Sequence, residues 1–480
     1  MPPRGSYDAI IVGSGPNGLA AAITLAEAGL RTLIVEGAKT IGGGTRSAEL
    51  TLPGFIHDVC SAILPLTAAS PFFHSFPFQK YGVEFITPPV AFAHPLDDQP
   101  AVLLEGDVAQ TARNLGLDTE AYQRLMGGLV SKLDQILEEF LGTFPFPPRY
   151  PWLFLQFSVK ALWPATFLAR SVFRGERARA LFAGLSAHSI QPLEWLATSS
   201  FALVAGAIGH RYGWPLIRGG THALTKAMAA YFIELGGELQ VDLPVASLDE
   251  LPKSKVYLLD VTPRQVIRIA GNRLPNRYLR QLSRYRYGPG VFKVDYAING
   301  PIPWKDEGCK RSATLHIGGT LEEIAESERV VWKGGHPEKP FLILAQQSLF
   351  DPSRAPEGKH IVWTYCHVPN GSTFDMTERI ENQIERFAPG FRDLILARQV
   401  TYPAQMEAYN PNYIGGDING GVQDIRQLFT RPVPRIIPYS TPAEDIFICS
   451  SSTPPGGGVH GMCGRQAAMA ALRSKQFRIR

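Results

Sequence analysis

Three glycines near the N-terminus, Gly13, Gly15 and Gly18, hold the spacing GxGxxG, and the chemistry that spacing serves is the binding of a pyrophosphate. The first glycine permits a tight turn, the second lets backbone approach the phosphates, and the third lets a helix pack closely on a strand. Around them lie the elements such a site needs: an apolar run, Tyr7 to Val12, of buried-strand length; the loop GSGPNG, which carries Pro16 and Asn17; a helix of small residues that Gly29 can end; and a second strand, RTLIVE, closing on Glu36. The helix start offers unpaired N–H groups and partial positive charge to phosphates, and the Glu36 carboxylate can accept ribose hydroxyls. A coincidental glycine turn would not bring strand, helix and terminal acid into register, so a bound dinucleotide is expected.

A few other side chains have types suited to chemistry. Lys293 sits in the strand-like run GVFKVDYAI, where it is either a buried, tuned amine or a strand lysine that reaches solvent or pairs with Asp295 on the same face. His57, Asp58 and Cys60 fall in GFIHDVCSA, and His460 and Cys463 in the last glycine-rich loop. A histidine titrates near neutral pH, yet most histidines only satisfy local hydrogen bonds. Cys463 is expected to be a small buried hydrophobe, although a helix start could activate its thiol.

The C-terminus reads as a second strand, loop and helix: Asp445 to Cys449, then glycines 456, 457, 458, 461 and 464, then a helix of small residues. It aims a second helix start at a ligand. Tyr150 to Gly209 is aromatic-rich and helical, Asp107 to Leu141 also has helical period, and Gly290 to Ile298, Pro340 to Gln347 and His360 to Val368 look like strands. DPSRAPEG is a turn, and MTERIENQIERFAPGF an amphipathic helix.

Composition excludes several classes. With 480 residues, 45% hydrophobic and 19% charged, the chain is ordinary globular protein long enough for two domains. The net charge of +4, without basic runs, gives no footprint for nucleic acid. Five cysteines without a CxxC pair argue for reduced thiols and against a zinc or other metal site. The opening apolar run is too short for a signal peptide, and the greasiest stretch, Tyr150 to Phe173, is interrupted by Gln156, Lys160, Pro164 and Arg170. It can lie on a membrane rather than cross one, so the expected location is cytoplasmic or peripheral on a membrane.

Glu36, five residues, then Gly42-Gly43-Gly44-Thr45-Arg46-Ser47 resembles the ExxxxxGG(x)xRS pattern of FAD enzymes of the amine-oxidase and phytoene-desaturase group. With VGSGPNGL, IGGGTRS, SLFDPSRAPEGKHIVWTYCHVP and SSSTPPGGGVHGMCG, the chain resembles the phytoene desaturase-like flavoproteins almost end to end, closest to their bacterial phytoene-dehydrogenase-like branch. The resemblance implies an α/β fold, a Rossmann-type FAD-binding domain (residues 1–75, 214–285 and 436–480) interleaved with an α+β substrate domain (76–213 and 286–435) made of a mixed sheet and a helical subdomain near 107–210. It implies FAD contacts from Gly13, Gly15, Pro16, Asn17, Gly18, Glu36, Gly43, Gly44, Thr45, Arg46 and Gly457, Gly458, Val459, His460, Gly461, Met462, with adenine near Val245 on a strand after the helix that Gly219-Gly220 opens. Between Val245 and VYLLDVTP only SLDELPKSK remains, too little for the β-meander of relatives.

The implied activity is hydrogen removal, saturation or isomerisation at carbon–carbon bonds of a hydrophobic, isoprenoid or polyene-like substrate, with oxygen or a quinone as acceptor. Lys293 resembles the amine-oxidase lysine that faces the flavin through a water, and His57 approaches the same ring; these are the catalytic candidates. An amine or amino-acid oxidase, and a non-catalytic flavin-loaded binding or assembly protein, stand as alternatives. The aromatic belt Phe144, Phe146, Tyr150, Trp152, Phe154, Phe157, Trp163 and Phe167 is expected to line a lipid path, to touch a membrane or to pack a core.

Overall fold

The computed structural model describes residues 6–141 and 148–477, so Phe144 and Phe146 of the aromatic belt lie outside the described residues. Strands β1 (Tyr7–Val12), β2 (Thr32–Val35), β9 (Glu238–Gln240), β10 (Ser254–Leu259) and β16 (Ile446–Ile448) form an all-parallel sheet in the order β16-β10-β1-β2-β9. β1, β2, β16 and the second half of β10 are nearly continuous apolar sequence because helices cover both faces, whereas the edge strand β9 (Glu238-Leu239-Gln240) is half-buried. Ala9 and Ile11 point to the side of helices Pro16–Glu27 and Met462–Leu472, while Ile10 and Val12 meet Val266 and Ile269 of helix Pro263–Ala270. Parallel strands place all their carboxyl ends at one edge, where open α/β sheets bind ligands. That edge collects Gly13 after β1, Glu36 after β2, Asp260 after β10 and the glycine loop after β16.

A second sheet of seven strands has the order β15-β11-β14-β13-β12-β6-β7. Its members are β6 (Val90–His94), β7 (Val102–Glu105), β11 (Gly290–Ile298), β12 (Thr314–Ile317), β13 (Leu342–Ala345), β14 (His360–Val368) and β15 (Ile395–Thr401). Its outer face, with Phe292, Val294, Leu344, Val362 and Cys366, packs under helix Thr377–Phe387. Its inner face turns toward the helices of residues 108–212 and the side of the parallel sheet. A short hairpin, β3 (Ser47–Glu49) with β4 (Ile56–Asp58), and a two-stranded antiparallel ladder between the sequence-distant β5 (Phe85–Ile86) and β8 (Leu216–Ile217) tie the regions together.

Strands β6, β7, β12 and β15 are absent from the sequence reading. The first and third are buried on every residue, so they show no alternation by which a short apolar run can be told from helix. Val245 is a correction to that reading. Its strand, β9, ends at Gln240, and Val245 lies in the following loop, where Pro244 can donate no ladder bond and Asp242 adopts a φ of 59°. Leu243 N–H and Asp242 N–H donate instead to the Glu36 and Ala38 carbonyls. Gly464, read as part of the last loop, is inside helix Met462–Leu472.

Candidate functional site: a cradle between the two chain ends

The first helix begins at Gly15, whose N-cap has no side chain to satisfy the first-turn N–H groups, and Pro16 occupies the first position. Gly13 has φ +103°, and a Cβ on Gly18 would lie 2.2 Å from the Gly13 carbonyl oxygen, so glycine is required at both. The C-terminal helix starts beside it from Gly461 at φ +68°, again with no side-chain cap. A Cβ on Gly464 would fall 1.8 Å from the Asn17 carbonyl oxygen. Only glycine therefore lets the two helix starts come side by side, pooling their positive ends and the first-turn N–H groups other than those of Gly18 and Met462, which Asp260 and His460 accept. Asn17 Oδ1 is buried there with no protein partner.

The remaining motif residues frame this cradle. Glu36 accepts from the Ser14 amide at 2.9 Å and hydroxyl at 2.6 Å and from Ala38 N–H, and retains lone pairs for a hydroxyl ligand. Gly43 follows on a turn at φ +52°, with the Tyr409 hydroxyl donating to its carbonyl at 2.9 Å. Gly44 faces the Tyr413 hydroxyl, and Thr45 is buried with its hydroxyl donating to Gly42. Arg46 donates to the Thr40 and Ile41 carbonyls, lies 3.6 Å from Glu36 and stacks over Tyr409. It pins the loop that follows β2. At the other chain end, Thr67 and Ser70 hydroxyls donate to the Val459 and His460 carbonyls at 2.6 Å, fixing Gly457, Gly458 and Val459 against the first domain. His460 is buried and pushed down to about 4 by burial, partly offset by the Gly456 and Gly457 backbone. It accepts from Met462 N–H at 3.0 Å and faces the Gly456 carbonyl at 3.2 Å, so it braces the loop as a neutral ring. Burial likewise lifts the Cys463 thiol to about 11, leaving it unreactive.

The catalytic candidates converge. Lys293 and Asp295 are buried on the inner face of β11, their ammonium and carboxylate in direct contact. His57 Nδ1, arriving on β4, lies 3.5 Å from the other Asp295 oxygen. Its Nε2 pairs with the Thr51 hydroxyl at 2.9 Å. Asp295 thus joins the two candidates and removes the solvent-reaching reading of Lys293. Cys60, whose buried thiol is raised in pKa, senses the Lys293 charge and contacts Tyr413, so the lysine lies on the side of the Gly44 turn. Asp58, by contrast, is structural. Burial raises its pKa, but Arg354 at 2.8 Å, Thr221 N–H and the Ser47 hydroxyl outweigh that and hold it below the usual carboxylate range.

Asp260 is the residue that the sequence reading missed; an acid at the carboxyl end of an inner parallel strand was its signal. Its carboxylate accepts from Gly18 N–H at 2.9 Å, on the helix start that phosphates would use. Burial lifts its pKa to about 7, with Gly18 opposing and Glu36 adding to the rise. A carboxyl with a raised folded pKa adds no penalty while protonated in both states. The penalty grows as pH climbs from the unfolded value near 4 and is complete above about 7. Asp260→Asn is therefore expected to raise the melting temperature of the flavin-free protein by about 2 °C at pH 8 and hardly at pH 4, and to tighten FAD binding at pH 8. Thermal scans and flavin fluorescence titrations at both pH values check this.

Residues 11–76 match the NAD(P)-binding Rossmann-like domain family. The chain is 24% identical to the rat protein "pyridine nucleotide-disulfide oxidoreductase domain-containing protein 2", over 97% of this chain and 93% of the relative. It is 23% identical to the neurosporene-forming phytoene desaturase of Rhodobacter capsulatus, over 98% and 94%. Cyclohexylamine oxidase from Brevibacterium oxydans shares the fold at a TM-score of 0.59 and 15% identity, over 97% and 99%. The fold and cradle define a flavin oxidoreductase. The chain is similar to the phytoene desaturases in sequence and to the amine oxidases in fold, and FAD is its cofactor. The paired glycine-capped helix starts, the unpartnered Asn17 oxygen and the free capacity of Glu36 fit that group.

Proposed function

We propose that this enzyme removes or adds hydrogen at carbon–carbon bonds of a neutral, hydrophobic substrate held on the inner face of the seven-stranded sheet. The observation that carries the reading is the pairing of Lys293 with Asp295 beside the aromatic pair Trp363 and Tyr365, whose rings lie 5.1 Å apart in edge contact. Bound FAD supplies the hydride acceptor, and the acceptor for its reoxidation is oxygen or a quinone. The chain supplies dryness, position and one held proton: Lys293 keeps an ammonium proton between Asp295 and the Trp363 ring, 5.8 Å away. An aromatic surface suits an amine, but here the buried acid is already neutralised by a lysine, and a substrate ammonium would meet that cation. A neutral polyene or isoprenoid meets no such cost. Anaerobic titration of the FAD-loaded protein tests the reading at the flavin absorbance: isoprenoids should bleach it and amines should not. Bleaching by amines alone would establish the amine-oxidase alternative, and bleaching by nothing, with a partner protein co-purifying, the binding-protein alternative.

The substrate's solubility suggests how it arrives. Helix Pro151–Ala161 and the segment after it expose Trp152 (75%), Leu155, Val159, Trp163 and Phe167 (53%) beside Lys160, whereas Phe157 of the same belt is core. No helix among the described residues is long and apolar enough to cross a membrane. We take this face to rest on the surface of a lipid bilayer, with aromatic side chains at headgroup depth. Replacing Trp152 and Phe167 together by Ser is expected to reduce co-sedimentation with anionic phospholipid vesicles at least about tenfold while leaving FAD content unchanged.

A further inference from the structure

The inner face of the second sheet has a second polar end that the proposed reaction does not use. Register places Lys293 of β11 beside Tyr365 of β14, Tyr365 beside Ile343 of β13, and Ile343 beside His316 of β12. Three strand spacings separate the lysine from the histidine, about 14 Å. The middle of this row is apolar and keeps residual exposure, Tyr365 8%, Trp363 6% and Ile343 5%, where outer-face neighbours Val362 and Leu344 are at 0%. Accessible surface on this face is thus kept at the middle of the row, next to His316, which is itself fully buried.

Around His316 stand three further buried or half-enclosed histidines. His188 shares a 2.9 Å hydrogen bond with His316 Nε2, His94 binds the Gly319 carbonyl at 2.7 Å, and His367 pairs with Glu328 at 2.8 Å. This leaves His94 Nδ1, His316 Nδ1 and His367 Nε2 buried without a protein partner, together with the Thr314 hydroxyl on the same strand face. Gly184 keeps two of them clear: a Cβ there would sit 3.0 Å from His316 Nδ1 and 3.1 Å from His94 Nδ1. Unpaired buried polar atoms are costly, and three nitrogens with a hydroxyl in one region point to a ligand that satisfies them. Burial holds His94 near 4, His188 near 3 and His316 well below its ordinary value, so the three rings offer N–H donors and lone pairs but no charge.

We propose that this histidine group is the far end of the substrate site and takes a neutral oxygen, such as a hydroxyl, carried by the substrate opposite its reacting bond. The inference rests on the reading that the inner face holds the substrate. It narrows that substrate from an all-carbon polyene to an oxygenated one, because an unsubstituted hydrocarbon end would leave the nitrogens unpaired.

The test compares farnesol with the hydrocarbon farnesene by calorimetric titration of the FAD-loaded protein. Farnesol should bind about tenfold more tightly, the worth of one net hydrogen bond. In His316→Phe, and in Gly184→Ala should the first variant fold poorly, that preference should vanish while farnesene binds as before. Equal affinities in the unaltered protein, no binding of farnesol, or a preference surviving in the folded variants would overturn the proposal. Flavin bleaching is scored separately in the same samples. A preserved preference without bleaching supports the oxygen subsite and counts against the dehydrogenation reading.

Discussion

Gly464→Ala should yield a protein that no longer holds FAD. The added methyl would stand 1.8 Å from the Asn17 carbonyl oxygen, 2.7 Å from its carbon and 2.9 Å from the Ala21 amide nitrogen. All three atoms are backbone of the first helix and cannot swing aside, so the two helices must separate. Separation moves the Gly461 helix start away from the Gly15 start and dissolves the joint positive end that phosphate and flavin need. The packing lost is also large, since Ala20, Ala21, Ala467, Ala468 and Ala471 are all fully buried. Bound flavin per chain after purification is expected to drop at least about tenfold, with thermal stability falling alongside. Gly219→Ala is a fitting control: its φ is also positive, at +73°, but nothing lies within 4 Å of its Cβ position, so it should cost only backbone strain and keep the cofactor.

Lys293→Met is the second large effect. It removes one partner of a fully buried ion pair and leaves Asp295 facing only His57. Breaking such a pair costs about 3–5 kcal/mol, because the remaining charge is stranded in low dielectric. Denaturant unfolding should show that loss in the single variant, and Lys293→Met with Asp295→Leu should regain most of it. The double variant then separates stability from chemistry. If Lys293 holds the proton near the reacting centre, its flavin is still bound but is bleached by substrate about 100-fold more slowly or worse.

Much of this site can be read from sequence wherever the information is local. β1, the glycine loop, the first helix and Glu36 fall within one short stretch, and period and spacing there leave little freedom. The same-face relation of Lys293 and Asp295 follows from the twofold period of a strand. What is not local stays hidden. His57 reaches Asp295 only because β4 lies against β14, and no pattern in either segment announces the other. The histidines at 94, 188, 316 and 367 come from three strands and a turn, each an unremarkable buried polar residue until register aligns them. Asp260 looked like the end of an apolar run, and its meaning depends on β10 lying directly beside β1. The placement of Val245 failed for a different reason: an edge strand stops where proline and a positive φ end its ladder, even when apolar residues continue.

The most direct measurement is the visible spectrum of the protein purified without chelators or stripping, followed by acid or heat release of its chromophore and identification of what is released. The account predicts the two visible flavin bands and one FAD per chain, released without covalent attachment because Cys463 is a buried, protonated thiol. A colourless protein that also fails to quench added FAD would contradict the cradle formed by the two chain ends, and every functional statement built on it.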